Sequence, residues 1–305
     1  MLILSVESTC DETAVAVTEN GRKVLTDQIF SQADLHAVYG GVVPEIASRS
    51  HVEVISRLAD RAIAAAGVKK SELDAVAVSY APGLIGAVLV GVNFAKSAAA
   101  ALGIPLIPVH HIRGHIAANY IAYPELEPPF LCLAISGGNT MLVHVRAWGD
   151  YEVLGATIDD AVGEAFDKVA KALGLGYPGG PVISKLAEKG NRKAIHFPRA
   201  MMHSGDYSFS LSGLKTSVIT YINNENRAGK PINLPDLAAS FEAAVVDVQV
   251  KKAEMALRET GAPTFCLGGG VAANPVLRAA YGKLCKRCMC AWSCPRFRHA
   301  AITPA

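Results

Sequence analysis

The chain has 305 residues, is 51% hydrophobic and carries 29 Lys and Arg against 27 Asp and Glu. That composition supports one large or two smaller packed domains. With no run of about twenty unbroken apolar residues, and neither a basic start nor a cleavage site in MLILSVESTC, it predicts a cytoplasmic protein without a membrane anchor.

The formal charge of +2 is a local feature: residues 281 to 305 hold Lys283, Lys286, Arg287, Arg296, Arg298 and no acid, leaving the remainder at −3 (+2 less five). Basicity therefore argues for nucleic acid only through that tail. Cys10, Cys132 and Cys266 are scattered and four more cysteines crowd the last 25 residues, which is no disulfide framework.

Residues 2 to 6 and 14 to 18 are apolar, β-branched runs around ESTCDET, predicting strand, polar turn, strand. Pro44 to Ala66 predicts a helix, with Pro in its first turn and Ile46, Val54, Ile55 and Leu58 on one side. AVAVSYAPGLIGAVLVGVNFAKSAAAALG reads as strand, glycine turn and apolar helix stopped near Gly103, then IPLIPV as a strand running into HHIRGHIAANYIA. YPELEPP separates the halves. FLCLAISGGNTMLVHV, residues 130 to 145, repeats the opening plan, which suggests an internal duplication. A helix through Asp160 to Leu173, the turn GYPGGP, helices around 211 to 222 and 236 to 259, and the strand TFCLGGG complete an α/β alternation. The expected units are 1–128, 129–284 and an aberrant tail, 285–305.

Four stretches carry chemistry. His111 and His115 in HHIRGH are spaced i, i+4, so both imidazoles leave one helix face; the pair suits one metal or is simply two helix histidines. Ile112 stands where a zincin protease needs its glutamate. SGGNT, YPGGP and GGGVAAN are glycine turns whose backbone N–H groups can approach a phosphate. Asn274 before Pro275 suits a helix N-cap as well as a nucleoside contact. Three such turns in one half favour a nucleotide pocket. Asp11, Glu12 and Asp167 lie beside them, fit to accept a proton, hold a ribose or support a metal, or to cap a turn.

ESTCDETAVAV, SQADLHAVYGGVVPEIASRSHVE, APGLIGAVLVG, VHHIRGH, ISGGNT, EAFDKVAKALGLGYPGGP, FSLSGLKT and GGGVAANPVLR, in that order, resemble the tRNA N6-adenosine threonylcarbamoyltransferase family from Met1 to about Leu284. The resemblance implies the duplicated actin, sugar-kinase and heat-shock-ATPase fold with a nucleotide cleft between two similar halves. It implies transfer of the threonylcarbamoyl group from threonylcarbamoyl-AMP to N6 of adenosine 37 in tRNAs reading ANN codons. Carried over by position, His111 and His115 hold one divalent metal per subunit, iron favoured and zinc possible. Ala134, Ile135, Ser136, Gly137 and Gly138 contact the acyl-adenylate, Asp167, Gly180, Ser184 and Asn274 its nucleoside. Asp11 and Glu12 sit in the first phosphate loop, with Asp11 the preferred proton acceptor. In bacteria the family works with a catalytically inactive paralogue and a small ATPase, and the Pro44 to Ala66 helix offers a face for the paralogue. Other readings are a non-catalytic partner subunit of the same fold, which the intact histidine pair disfavours, and an ATP-dependent small-molecule kinase.

Three departures stand out: Asn139 where the family often has His, Ser184 where Asp is common, and the tail, which lacks the family's Asp-Asn pair and with it a third metal ligand. Cys285, Cys288, Cys290 and Cys294 could form a four-thiolate zinc site, though with only Met289 between Cys288 and Cys290 the spacing is unlike zinc loops. A shifted reading frame explains more. Taking each codon's third base with the next codon's first two, His299 to Ala305 permit Cys-Gly-Asp-Asn-Ala-Gly, and Cys290 to His299 permit Arg-Leu-Val-Leu-Pro-Pro-Leu-Ser-Ala. The frame slips near Lys286, the metal Asp would be encoded across Ala301 and Ile302, and the chain as written is expected to aggregate and to have little or no transfer activity.

Overall fold

The structure is a computed structural model and describes residues 1–294, which fall into two units, Met1–Glu125 and one beginning at Leu126. The shifted-frame signature at His299 to Ala305 lies outside the described residues.

In the first unit the apolar run at the N-terminus forms β1 (Leu2–Glu7), antiparallel to β2 (Glu12–Glu19). Asn20 and Gly21, both left-handed, turn the chain into β3 (Lys23–Ser31). After α1 (Ala33–Ala37) comes α2 (Pro44–Ala66), matching the predicted span: Pro44 enters at the first turn and left-handed Gly67 ends it. Its Ala47, His51, Ile55, Leu58, Ala59, Ala62 and Ile63 are buried at helical spacing. Strand β4 (Ala75–Ala81), helix α3 (Ile85–Leu102) and strand β5 (Leu106–His110) form a parallel crossover, and α4 (His111–Ala122) follows β5 without a break. The sheet order is β3-β2-β1-β4-β5. By length and composition α3 alone among the described residues could cross a membrane. Here it is a crossover helix that buries a row of small residues, Ala87, Gly91, Ala95 and Ala99.

The second unit repeats the plan. β6 (Phe130–Ile135) pairs antiparallel with β7 (Thr140–Ala147), which pairs with β8 (Asp150–Ala156). Then come α5 (Val162–Ala172), α6 (Gly179–Ala187), α7 (Ser212–Arg227), α8 (Leu234–Thr260), β9 (Thr264–Gly268), α9 (Pro275–Cys288) and β10 (Ala291–Ser293). The order β8-β7-β6-β9-β10 reproduces the first sheet strand for strand, so the duplication is real at the level of topology.

Helix α8 is the spine of this unit, and the long segment after α6 is strapped along it. Asn191 N donates to Asp236 (2.7 Å), Ile195 N to Ser240 (3.1 Å), Arg199 pairs with Asp247 (2.9 Å), and the buried Lys252 ammonium donates to the Asp206 carbonyl (2.8 Å). Such side-chain partners stand in for a ladder in a segment with little regular structure.

Cys285 to Cys294, expected to be aberrant, are built into this unit. They close α9 and add β10 parallel to β9, and Trp292 stacks on Phe265 and Tyr281 with ring centroids 6.3 and 6.0 Å away. The four-thiolate zinc alternative fails. Among the described residues no group of three or more His, Cys, Asp or Glu is placed to hold a metal, and burial pushes the Cys285 and Cys294 thiols up, Cys294 to about 11.

Candidate functional site

In the first unit the turn between β1 and β2 meets the start of α4. Glu7 ends β1, buried; its Oε1 accepts from Thr9 N (2.6 Å) and its Oε2 lies 3.1 Å from His111 Nδ1, while Thr9 Oγ1 lies 3.2 Å from the same nitrogen. Burial opposes the Glu7 charge, but the bond to His111, that ring's charge and the bond to Thr9 outweigh it and hold the carboxyl down at about 2. His111 opens α4 and His115 follows one turn later, the two rings packed edge to face at 4.4 Å. Burial first, then the neighbouring His111, push His115 down to about 3, so its imidazole is neutral. Two histidines on one helix face, one neutral and the other backed at Nδ1 by a carboxylate, fit two positions of a divalent metal's shell.

Asp11 and Glu12 continue the same turn into β2. Glu12 is exposed as a residue, yet crowding around its carboxyl, then the charges of Asp11 and Glu7, push it up to about 7. The turn is held from beneath by His51 of α2, fully buried, whose Nε2 lies 2.9 Å from the Cys10 carbonyl and Nδ1 2.7 Å from Thr13 Oγ1. A carbonyl can only accept, so Nε2 carries the proton and Nδ1 accepts from the threonine. Burial, the leading cause, lowers the His51 pKa and keeps the ring neutral.

The second unit builds its site around the matching turn. Ala134 and Ile135 are fully buried within the β6–β7 ladder, so this stretch presents Ser136, Gly137 and Gly138. The N-terminus of α5 clasps the turn: Gly163 N donates to Ser136 O (3.3 Å) and Glu164 N to Gly137 O (3.0 Å). Only glycine fits at 163, because a Cβ there would lie 2.7 Å from Gly137 Cα and 2.8 Å from Ser136 O. The outer side is open, with no atom within 4 Å of a Cβ built at Gly137 or Gly138, and the buried Ser136 Oγ has no hydrogen-bond partner among the described residues.

Helix α6 brings three more predicted residues together with Asn274. Asp167 Oδ1 accepts from Gly179 N (2.7 Å), beside Gly180, whose Cβ position is open. One turn on, Ser184 Oγ donates to Glu242 Oε1 (2.5 Å), and Asn274 Nδ2 donates to Ser184 Oγ and to Glu242 Oε1, both at 2.7 Å. Asn274 is also the N-cap of α9, its Oδ1 accepting from Leu277 N (2.8 Å), so the cap reading of this residue holds. Glu7 and Glu242, which complete these clusters, were not singled out in the sequence. Glu7 is legible only as the last residue before the polar turn, and Glu242 has no local signal.

Beside the turn, buried Asp160 joins Lys168 (2.6 Å) and Lys215 (2.8 Å), tying α5 to α7. Burial opposes its charge, but the bonds to Lys168 and Lys215 prevail and its pKa lies below the ordinary 3.8. A lowered folded pKa stabilises fully above the unfolded value and is lost as pH falls through the folded one. Asp160→Asn should therefore cost about 2 kcal/mol at pH 7, and denaturant titrations should show the gap from the parent closing as the pH falls below 3.8.

A sequence model of the tRNA N6-adenosine threonylcarbamoyltransferase family matches residues 23–301. The tRNA N6-adenosine threonylcarbamoyltransferase of Clostridium botulinum strain 657 is 51% identical over 285 residues, covering 93% of this chain and 84% of that protein. Among solved structures, HypF of T. kodakarensis superposes with TM-score 0.66 at 16% identity over 96% of this chain and 44% of its own. The activator of 2-hydroxyisocaproyl-CoA dehydratase from Clostridium difficile, solved with ADPNP, superposes with TM-score 0.56 at 12% identity over 100% of this chain and 93% of its own. At these identities the two structures speak for the shared duplicated α/β fold alone.

Proposed function

The chain belongs to the tRNA N6-adenosine threonylcarbamoyltransferase family, acyltransferases that modify tRNA, and from that premise we propose how its residues divide the work. The acyl donor is threonylcarbamoyl-AMP. The Ser136–Gly138 turn is its seat, and the observation that carries this is the combination of two open glycines with a buried, unpartnered Ser136 hydroxyl. Asp167 of α5, bonded to the start of α6, Gly180 and Ser184 of α6, and Asn274 at the α9 N-cap, bonded to Ser184, form a group that suits the nucleoside.

In the reaction the N6 amine of adenosine 37 attacks the carbamoyl carbon; the C–N bond forms, the C–O bond to the phosphate breaks, AMP leaves and the amine loses a proton. The turn carboxylates supply the acceptor. Asp11 is the residue expected from the sequence, and Glu12, pushed up to about 7, is the better matched to take and release a proton near neutrality. His111 and His115 would hold a divalent metal, iron in preference to zinc, which when bound would supply Lewis-acid chemistry. Glu7 orients His111 through the contact at Nδ1.

The partners proposed are tRNA, an inactive paralogue and a small ATPase, in the cytoplasm. The paralogue's face lies on α2 and α3, where Val52 (63% exposed), Ile85 (82%) and Leu89 (52%) are uncovered. The test is a transfer assay with ferrous iron, purified tRNA and synthetic labelled threonylcarbamoyl-AMP, using protein made from the frame-restored gene. Label should enter tRNA from the anhydride and not from ATP, threonine and bicarbonate. Release of ADP with a small alcohol or carboxylate acceptor, and no label in tRNA, would favour the kinase reading instead.

A further inference from the structure

Glu242 lies in the middle of α8, 3% exposed. Among the described residues no lysine, arginine or histidine forms an ion pair with it, and its hydrogen-bond donors are neutral: Ser184 at 2.5 Å and Asn274 at 2.7 Å, both on Oε1. A buried carboxylate held only by neutral donors is costly, and a purely structural site would be served as well by an apolar side chain of similar volume. The two residues it grips, on α6 and at the α9 cap, are ones proposed for the nucleoside seat.

Hydrogen-bond capacity shows what the grip achieves. Asn274 Nδ2 lies 2.7 Å from both Ser184 Oγ and Glu242 Oε1, while its Oδ1 accepts from Leu277 N. Ser184 has a single proton and gives it to Glu242. The Ser184 proton and the Asn274 amide are thereby turned towards Glu242, and acceptor capacity remains as a second lone pair on Asn274 Oδ1, one on Ser184 Oγ, and those of the carboxylate. Without the carboxylate, the Ser184 hydroxyl and one Asn274 N–H would turn free and the edge would become part donor.

We infer that Glu242 is a positioning residue that fixes Ser184 and Asn274 as a hydrogen-bond-accepting edge, and so makes this site select a ligand that presents hydroxyl donors, as a ribose diol does. The inference rests on the proposed nucleoside seat and deepens it. Acting through Ser184 and Asn274, Glu242 sets specificity as well as affinity.

The probes are AMP and 2′,3′-dideoxy-AMP, titrated calorimetrically into the full chain, with thermal melting to confirm that each variant is folded. The parent should bind AMP at least about tenfold more tightly than the dideoxy analogue, since a site built to bond a hydroxyl discriminates against its loss. Glu242→Leu should weaken AMP about tenfold and the analogue less than about twofold, collapsing the ratio. Glu242→Gln keeps a carbonyl oxygen where Oε1 stands and should retain the preference, with AMP affinity within about threefold of the parent. Equal weakening of both probes by Glu242→Leu, or no weakening, overturns the inference. A parent that binds AMP without preferring it to the analogue also overturns it while leaving the nucleoside seat standing. A parent that binds neither removes the seat and the inference together.

Discussion

Expressed as written, the chain should transfer threonylcarbamoyl groups at least about a hundredfold more slowly than protein from a gene restored by one base near the Lys286 codon. The restored protein should bind one iron per chain where the parent should bind substoichiometrically. His111 and His115, the two proposed ligands, have their rings 4.4 Å apart, and among the described residues no third His, Cys, Asp or Glu completes a metal group with them. Catalytic metal sites of this kind ordinarily use three protein ligands, and loss even of an outer-shell partner costs 10- to 100-fold. The shifted frame permits an Asp-Asn pair across Ala301 to Thr303, with the Asp across Ala301 and Ile302. Sequencing the gene through the codons for Leu284 to Ala305, with iron content and transfer rate measured for both proteins, checks the whole argument. Stoichiometric iron and an undiminished rate in the chain as written would refute it. The defect should show in the metal more than in folding, because β10 and Trp292 already cover the outer side of β9 and α9.

What the sequence made legible follows from the range of each interaction. Helix α2 could be bounded to the residue because its start, its stop and its apolar spacing are all local. The duplication was visible as two apolar runs around a polar turn, and the matching sheet orders bear it out. Strand β3 was missed although Asn20-Gly21 is a strong hairpin signal, because its residues alternate weakly and half of them face solvent at the sheet edge. The site was legible only in its pieces. The i, i+4 spacing of His111 and His115 is local, but Glu7 is 104 residues from His111 and Glu242 is 58 from Ser184, so neither partnership leaves a mark in a single sequence. Asn274 carried both its meanings in the sequence, and the structure realises the cap while tying the same amide to Ser184 and Glu242. The cysteine-rich tail misled in the other direction: its residue types suggested zinc, while burial of Cys285 and Cys294 makes poor thiolates.

Two glycine substitutions separate the architecture of the Ser136–Gly138 turn from its use as a ligand seat. Gly163→Ala should lower stability by about 2–3 kcal/mol, a fall in Tm of about 5 °C or more for a unit of this size, and should abolish AMP binding. The added methyl would meet backbone atoms, Gly137 Cα at 2.7 Å and Ser136 O at 2.8 Å, which cannot step aside as a flexible side chain would. Helix α5 must therefore lift from the turn, loosening the Gly163 N–Ser136 O and Glu164 N–Gly137 O bonds that hold it. Gly138→Ala is the reverse case. Its methyl meets no atom within 4 Å and its φ is not among the left-handed glycines, so stability should change by less than about 0.5 kcal/mol. That methyl would nonetheless project into the open side of the turn, where the phosphate or acyl end of the donor is proposed to lie. Affinity for AMP or for threonylcarbamoyl-AMP should fall about tenfold or more at unchanged Tm. If Gly138→Ala leaves both affinities intact, the open glycines are a feature of the fold alone. If Gly163→Ala melts with the parent, α5 does not clasp the turn as described.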